Sequence, residues 1–407
     1  MKILMVVPMP PQPQAPSAIP GVLHALLTGL TPHHQVTVVT VIGPEPGQEE
    51  AIECLRTAGR EVHAVRLMKP AASQRWQRRW RLASTWLWGQ YPWRTIWFSD
   101  PQIQRILDRL LADRSFDLVV VEDNAMGIYR YQTETPVIFT EHEVRRARPV
   151  NWQMGPPKNW LHWAFVEADW RRWPEYQPPI WRRFDRIQVF TSRDAAAISL
   201  LAPDVISRVR VNPFGVDLPA AADPNREEKG SILFVGNFTH PPNVDAALWL
   251  GHEIMPRLRT LHPGVRLTIV GPFSPKSVRS LACADIQVTG FVPETAPYLE
   301  RTAVVLAPIR IGGGMRMKVL HAMASGKAIV TTPRGTDGLE IHGQQPPLLI
   351  AENADGIAGA TASLLADEGA RRELGRRARA FVAEHFSPSA YARRLEAIYE
   401  ELINSKK

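Results

Sequence analysis

The sequence predicts an α/β protein made of two Rossmann-like domains, and three observations carry that expectation. Short β-branched runs alternate with helical stretches: ILMVV, GVLHALLTGL, QVTVVTVI, later FDLVVVE and TPVIFTEH, the pattern of a buried parallel sheet with crossover helices. The alternation restarts after the polar, proline-bearing segment PAAADPNREEKGS, with ILFVG, NVDAALWLGHEIMPRLRTL, RLTIVG, IQVTGFV, AVVLAPI and KAIVTT. Finally, 407 residues exceed what one hydrophobic core fills, so two domains of roughly 200 residues are expected.

The elements follow in order. MKILMVVP has one lysine and a short apolar run closed by proline, so it reads as a first strand and not as a signal peptide. Pro20 and Gly21 form a tight entry to the first helix. The second domain begins near Ser231. The last segment, SPSAYARRLEAIYEELINSKK, is serine-led and places Tyr391, Leu395, Ile398 and Leu402 at helical spacing, which predicts a closing helix. The expected division is an N-terminal, acceptor-binding domain over 1–215, a linker over 216–230, a second domain over 231–385 and the closing helix over 386–407. Two open sheets of this kind put the carboxyl ends of their strands on a shared cleft, the expected site.

Composition, at 45% hydrophobic and 22% charged residues, is that of an ordinary soluble globular protein. No run of 18 apolar residues occurs, so no membrane-spanning helix is expected. A net charge of +8 points to anionic partners: nucleic acid, phosphorylated small molecules or acidic lipid headgroups. Cys54 and Cys283 have no metal-ligand or redox spacing, fit a reducing compartment, and are expected to be buried as small apolar residues.

The most informative stretch is RIGGGMRMKVLHAMASGKAIVTT, residues 310–332. AVVLAPI is a buried strand, Gly312, Gly313 and Gly314 leave it, and a helix from about Arg316 to Ala324 turns Val319, Leu320 and Met323 to the core. Glycines allow close approach of backbone N–H groups, and a helix N-terminus adds partial positive charge, so an anion is the expected guest. Arg316, a bidentate fork, and Lys318, a point charge, suit two neighbouring phosphates. His321, three residues beyond Lys318, shares its side of the helix and reaches a group one turn farther from the phosphates.

FVGNFTHPPNVDAALWLGHEIMPRL, RLTIVGP, IQVTGFVPETAPYL and VVLAPIRIGGGMRMKVLHAMASGKAIVTTPRGTDGLE, in that order and spacing, resemble the nucleotide-sugar domain of family-four-like glycosyltransferases of GT-B fold, over about residues 209–345. The N-terminal half is similar more loosely, through its first strand and loop, TEHEV and VRVNPFGVDL. The resemblance implies two Rossmann-like domains facing a central cleft, with a C-terminal helix crossing back to the first. It implies a retaining transferase that uses a nucleotide-diphosphate sugar and no bound metal. Neutralisation of the leaving diphosphate by Arg316, Lys318 and the glycine-rich helix start makes metal independence physically sensible, and no Asp-x-Asp motif appears. It also implies donor contacts at Gly21, Gly236, Gly312, Gly313, Gly314 and Asp337, the last in TTPRGTDGLE. Three places depart from the family: His321 stands where a ribose-binding glutamate is usual, Gly313 where many members have a second glutamate, and Gly21 alone where a Gly-Gly loop usually follows the first strand. An imidazole can still bond a ribose hydroxyl.

In the first domain, VIFTEHEVRRAR places Glu141, His142 and Glu143 at the end of a strand, where they are expected to face the cleft. His142 resembles the family's histidine near the reacting sugar, and flanking carboxylates hold such a ring in one tautomer or keep it protonated. Twelve of the thirteen tryptophans fall here, in two batches: Trp76, Trp80, Trp86, Trp88, Trp93 and Trp97, then Trp152, Trp160, Trp163, Trp170, Trp173 and Trp181. The first batch is joined by Lys69, Arg75, Arg78, Arg79, Arg81 and Arg94, with no acidic residue between Glu61 and Asp100. Tryptophan with arginine suits the headgroup zone of an anionic membrane, single-stranded nucleic acid, or an aromatic core beneath a solvated basic face. Beside a donor domain of this kind, a glycan or lipid-linked acceptor and a membrane surface are the favoured partners. Nucleic acid is disfavoured, and a cytoplasmic location, peripheral on the inner face of the membrane, follows as an expectation, as does a role in polysaccharide or glycolipid biosynthesis. Rival readings are a sugar-nucleotide epimerase or phosphorylase of the same fold, and a catalytically silent binding subunit.

Overall fold

The computed structural model describes residues 1–12, 18–30, 33–67, 72–113, 115–146, 160–341 and 343–405; Lys69 and Trp152 lie outside them. The chain forms two compact units. Among the described residues, one takes in the chain up to Gly215 and again from Pro388 onward; the other runs Val216–Ser387.

The first unit holds seven parallel strands: β1 (Lys2–Val6), β2 (Gln35–Ile42), β3 (Val62–Arg66), β4 (Leu118–Glu122), β5 (Val137–Glu141), β6 (Arg186–Val189) and β7 (Val209–Val211). Their order is β3-β2-β1-β4-β5-β6-β7, so the sheet changes direction between β1 and β4. Ile3 lies opposite both Val36 and Leu118. Ile3, Leu4, Met5 and Val6 are all fully buried, as a strand covered on both faces requires. The second unit has six parallel strands in the order β10-β9-β8-β11-β12-β13: β8 (Ser231–Val235), β9 (Arg266–Val270), β10 (Ile286–Gly290), β11 (Val304–Ala307), β12 (Ala328–Thr331) and β13 (Leu349–Ile350). Its direction changes between β8 and β11.

The helices that matter below are α1 (Ala18–Leu30), α2 (Ala72–Trp88), α3 (Trp93–Trp97), α4 (Trp160–Trp181), α5 (Pro241–Trp249), α6 (Met317–Ala324), α7 (Glu368–His385) and α8 (Pro388–Ser405). Three expectations need correction. The long helix from Asn243 to Leu261 is interrupted by a π-type turn at Leu250–Ile254 before it resumes at Met255–Leu261. Pro256 cannot donate to the helical ladder, and the wider turn before it accommodates the missing bond. Cys54 and Cys283 are both exposed free thiols, not buried. Ile52 and Leu55 take the buried face of the helix Gln48–Thr57, which leaves Cys54 outside it.

The closing helix α8 belongs to the first unit. Its buried line is Tyr391, Leu395, Tyr399 and Leu402, so Tyr399 takes the place expected of Ile398, in keeping with a 3.6-residue period. Arg394 donates to Asn212 Oδ1 at 3.0 Å and to the Pro213 carbonyl at 2.7 Å, and Glu401 pairs with Arg186 at 3.2 Å. Since Leu395 is fully enclosed, Leu395→Ala is expected to lower the stability of the first unit by about 2–5 kcal/mol. Thermal melting checks this: the transition of the first unit should move down while that of the second stays in place.

Candidate active site

In an open parallel sheet the crevice lies outside the carboxyl ends of the strands where the order reverses. In the second unit that point is between β8 and β11, and it is flanked by the loops Gly236–His240 and Pro308–Arg316. The two loops are fitted closely together. A Cβ on Gly236 would come within 2.9 Å of Asn243, and Gly312, at φ +91°, would drive a Cβ to 2.7 Å from Pro242. Glycine at these positions lets the start of α5 approach both loops. Gly314 also has positive φ, 73°.

Arg316 caps α6 and is buried. Its guanidinium donates to the carbonyls of Arg334 at 3.0 Å, Gly313 at 3.0 Å and Gly312 at 2.9 Å, and lies 3.5 Å from Asp337 Oδ2. Arg334 adds a second bond to the Gly312 carbonyl at 3.0 Å. The two arginines thus brace the glycine loop from inside, and Asp337 closes the same cluster. Arg310 is engaged elsewhere, paired with Asp245 at 2.7 Å and lying over the Trp249 ring.

Lys318 points the other way. Its ammonium donates to Asn243 Oδ1 and lies 4.9 Å from the centre of the Phe234 ring. Burial lowers its pKa to about 7, helped by the nearby charge of Arg316. Lys318 and His321 together line a cavity of about 70 Å³ with Val235, Thr295 and Ala307. His321 also lines a larger one, about 470 Å³, with Asp217, Glu294 and Ser325. Its ring is exposed by accessible area yet lies within this concavity; the surrounding protein holds its pKa below the ordinary value, against the opposing pull of Asp217. The helix thus brings Lys318 and His321 to one side, while Val319, Leu320 and Met323 are buried in the core.

In the first unit β4 lies beside the direction change and pairs with β5, so the carboxyl ends of these two strands come together. His142 Nε2 is 2.9 Å from Glu122 Oε2, and Thr140 donates to the other oxygen of Glu122 at 2.8 Å. Asp123 has a left-handed backbone, φ 74°, accepts from its own downstream Ala125 N–H at 2.9 Å and pairs with Arg94 of α3 at 2.7 Å. Burial alone would raise the Asp123 pKa; Arg94 and His142 outweigh it and hold the group below its ordinary value. Burial likewise opposes protonation of His142, but the bond and charge of Glu122, with Asp123 and Glu141, raise its pKa.

Two first-unit expectations are corrected. Glu141 does not face a cleft: it is fully buried, accepting from Trp181 Nε1 at 3.1 Å and Asn124 Nδ2 at 3.1 Å. Burial pushes its pKa up to about 8, with Asp123 adding to the effect. Gly21 makes no turn; it lies in the first turns of α1, where a Cβ would meet nothing nearer than the Gln12 carbonyl at 4.0 Å. Glu143 is partly exposed and pairs with Arg145 at 3.4 Å.

Comparison with known proteins fits this geometry. Residues 229–367 match the family model for glycosyl transferases group 1. A glycogen synthase of Mycobacterium tuberculosis is 24% identical over 72% of this chain and 71% of its own length. An uncharacterised 44.6 kDa protein from the cps region of Klebsiella pneumoniae is 26% identical over 30% of this chain, and the match spans 34% of that relative. Among solved structures, Anabaena Alr3699/HepE in complex with UDP and glucose superposes with a TM-score of 0.63 at 12% identity, over 99% of this chain and all of that one. The fold is GT-B. Taken together, these matches support a transferase.

Sequence reasoning missed several residues of this GT-B chain's strand-end clusters. Glu122, Asp123 and Asn124 were visible only as the polar end of LVVVEDN, and the signal that mattered was their place at the carboxyl end of the strand beside the direction change. Asn243 and Asp217 carry no local signal; their roles depend on which loop packs against α6.

Glu141 supplies a test. Its folded pKa lies above its ordinary value of 4.5, so the folded state keeps a proton that the unfolded chain releases, and stability falls as pH rises from about 4.5 to about 8. Glu141→Gln keeps a neutral group of the same shape, and the Asn124 amide can turn its oxygen to the new donor. Its melting temperature should gain steadily on that of the parent across that range; parallel curves would show that Glu141 is ionised throughout.

Proposed function

We propose that the chain is a glycosyltransferase that moves a hexose-like sugar from a nucleotide-diphosphate sugar to a glycan or lipid-linked acceptor, with retention at the anomeric carbon and without a bound metal. The observation that carries this reading is the coincidence of the group 1 match over 229–367 with cavities lined by Lys318 and His321 at the direction change of the second sheet. That a protein of the same fold is crystallised with UDP and glucose supports a nucleotide sugar as the donor substrate.

Transfer breaks the bond between the anomeric carbon and the diphosphate oxygen, which takes the electron pair, while the acceptor oxygen bonds that carbon and gives up its proton. Negative charge therefore builds on the diphosphate. In this reading Lys318 meets it as an ammonium, the start of α6 adds its partial charge, and Arg316 fixes the glycine loop while the diphosphate competes with the Gly312 and Gly313 carbonyls for its fork. Gly236 and Gly314 shape the two loops, and Asp337 orients Arg316. His321 bonds the nucleoside ribose. In the first unit, His142, protonated and held by Glu122, positions the reacting sugar or moves a proton; Gly21 leaves room at the start of α1.

Replacing Arg316 or Lys318 by alanine should reduce turnover roughly a hundredfold or more, the scale of losing a preorganised donor. The lysine adds a pH signature. Because its pKa in the free protein is about 7 and a bound diphosphate raises it, UDP affinity should fall as pH rises above that value, while Lys318→Met binds weakly with no such slope. Calorimetric titration of UDP at several pH values checks both.

His321→Ala should raise the donor dissociation constant roughly fivefold, the cost of one neutral hydrogen bond, and His321→Gln should recover most of it. Unchanged affinity in the alanine variant would remove His321 from the ribose. Product analysis decides the reaction class: an epimerised nucleotide sugar formed without acceptor, or sugar phosphate formed from orthophosphate, would replace transfer by epimerisation or phosphorolysis. Nucleotide binding with no turnover of any donor would leave a binding subunit.

A further inference from the structure

The tryptophans of the first unit divide into two populations. Trp173 and Trp181 are buried in the core, and Trp86 and Trp93 pack on Phe165 with ring centres 4.6 and 5.8 Å away. Trp97 and Trp170 are partly buried against the same core, whereas a second group faces outward: Trp88 is 90% exposed, Trp160 75%, Trp76 64% and Trp80 58%, joined by Leu87, Leu161 and Trp163. Trp76, Trp80 and Leu87 recur at intervals of four and seven, one stripe of α2, opposite the side where Leu82 is buried. The contact between Trp86 and Phe165 sets the start of α4 beside this helix, so the two groups of exposed rings belong to one neighbourhood.

We propose that α2 and the start of α4 form a docking surface for an anionic lipid bilayer. Charge complementarity selects the occupant. The chain from Val62 to Ser99 carries no acidic residue, and Arg75 and Arg79 are exposed on the same helix as the rings. Indole rings with arginines beside them settle at the level of lipid headgroups, apolar body inward and N–H toward water. Trp76 and Trp80 meet edge to face at 5.5 Å, so the edge of one ring covers a face of the other. That geometry makes a compact wedge for a headgroup layer and leaves poor faces for stacking successive nucleic-acid bases. Among the described residues no helix is long and apolar enough to span a membrane, so the contact is peripheral. The proposal rests on the first unit alone and is independent of the donor chemistry.

The test is co-sedimentation of the full chain with phosphatidylcholine vesicles, with and without phosphatidylglycerol. The bound fraction should rise roughly tenfold with the anionic lipid and fall with added salt, with a blue shift of tryptophan emission. Arg75→Glu with Arg79→Glu, and separately Trp76→Ser with Trp80→Ser, should each weaken binding roughly tenfold or more while UDP affinity stays as in the parent. Equal recovery with both vesicle types overturns the proposal. So does parental binding by both double variants, or binding to oligo(dT) that exceeds binding to anionic vesicles. Self-association abolished by the tryptophan substitutions, without vesicle binding, would assign the surface to a second copy of the chain. Should a variant fail to fold, the lipid and salt dependence of the parent still decides.

Discussion

A parallel sheet covered on both faces leaves its strands no room for polar chemistry along their length, so every charged group that acts with such a sheet gathers at the strand ends. Both units obey this constraint. In the first, β4 is apolar until Glu122 and β5 until Thr140 and Glu141, and the next residues are Asp123 and His142. In the second, β8 and β11 run out into loops that lead to Asn243 in the first turn of α5 and to Arg316 and Lys318 at the start of α6. The sites are consequences of the topology before they are consequences of any one residue.

The two units settle the cost of buried charge in different ways. At the end of β4 the charges balance: Asp123 answers Arg94, Glu122 answers His142, and the remaining carboxyl, Glu141, is pushed toward its neutral form by burial, with the charge of Asp123 adding to the effect. Such a cluster is complete, and it keeps the His142 ring on Glu122. At the start of α6 the cations have neutral partners for the most part: loop carbonyls for Arg316, an amide oxygen and a ring face for Lys318. That arrangement tolerates charge without cancelling it.

The fold was legible because its signals are local and repeated. ILMVV, FDLVVVE and AVVLAPI each announce a buried strand, and α6 could be placed to within a residue from its glycines and its apolar spacing. Less legible was anything that depends on packing across loops. Arg316 and Lys318 look alike in MRMK, yet one turns in to brace the loop and the other lines a cavity, a distinction set by Gly313, Arg334 and Asn243, which are distant in sequence or silent in it. Glu141 and Glu143 also look alike in TEHEV, but β5 ends at Glu141, which is buried against Trp181, while Glu143 lies beyond the strand and nearer the surface. The tryptophans show the same limit: their clustering is plain in the sequence, whereas the burial of Trp173 and Trp181 in the core depends on packing that the sequence does not display.

The departures at Gly313 and His321 take on a meaning in this light. With a glutamate at either place, the mouth of α6 would hold a resident anion for Arg316 or Lys318. Glycine adds no carboxylate and leaves Arg316 only the backbone carbonyl at that position, and histidine, its pKa lowered by burial, adds no negative charge. Asp337 lies 3.5 Å from Arg316, and Asp217 and Glu294 stand on the wall of the larger cavity. The lowered pKa of Lys318 is the physical mark of that imbalance: a buried ammonium without an anion gives up its proton readily. A polyanion arriving at this mouth would reverse both effects at once, restoring the charge of Lys318 and supplying the partner that the sequence omits.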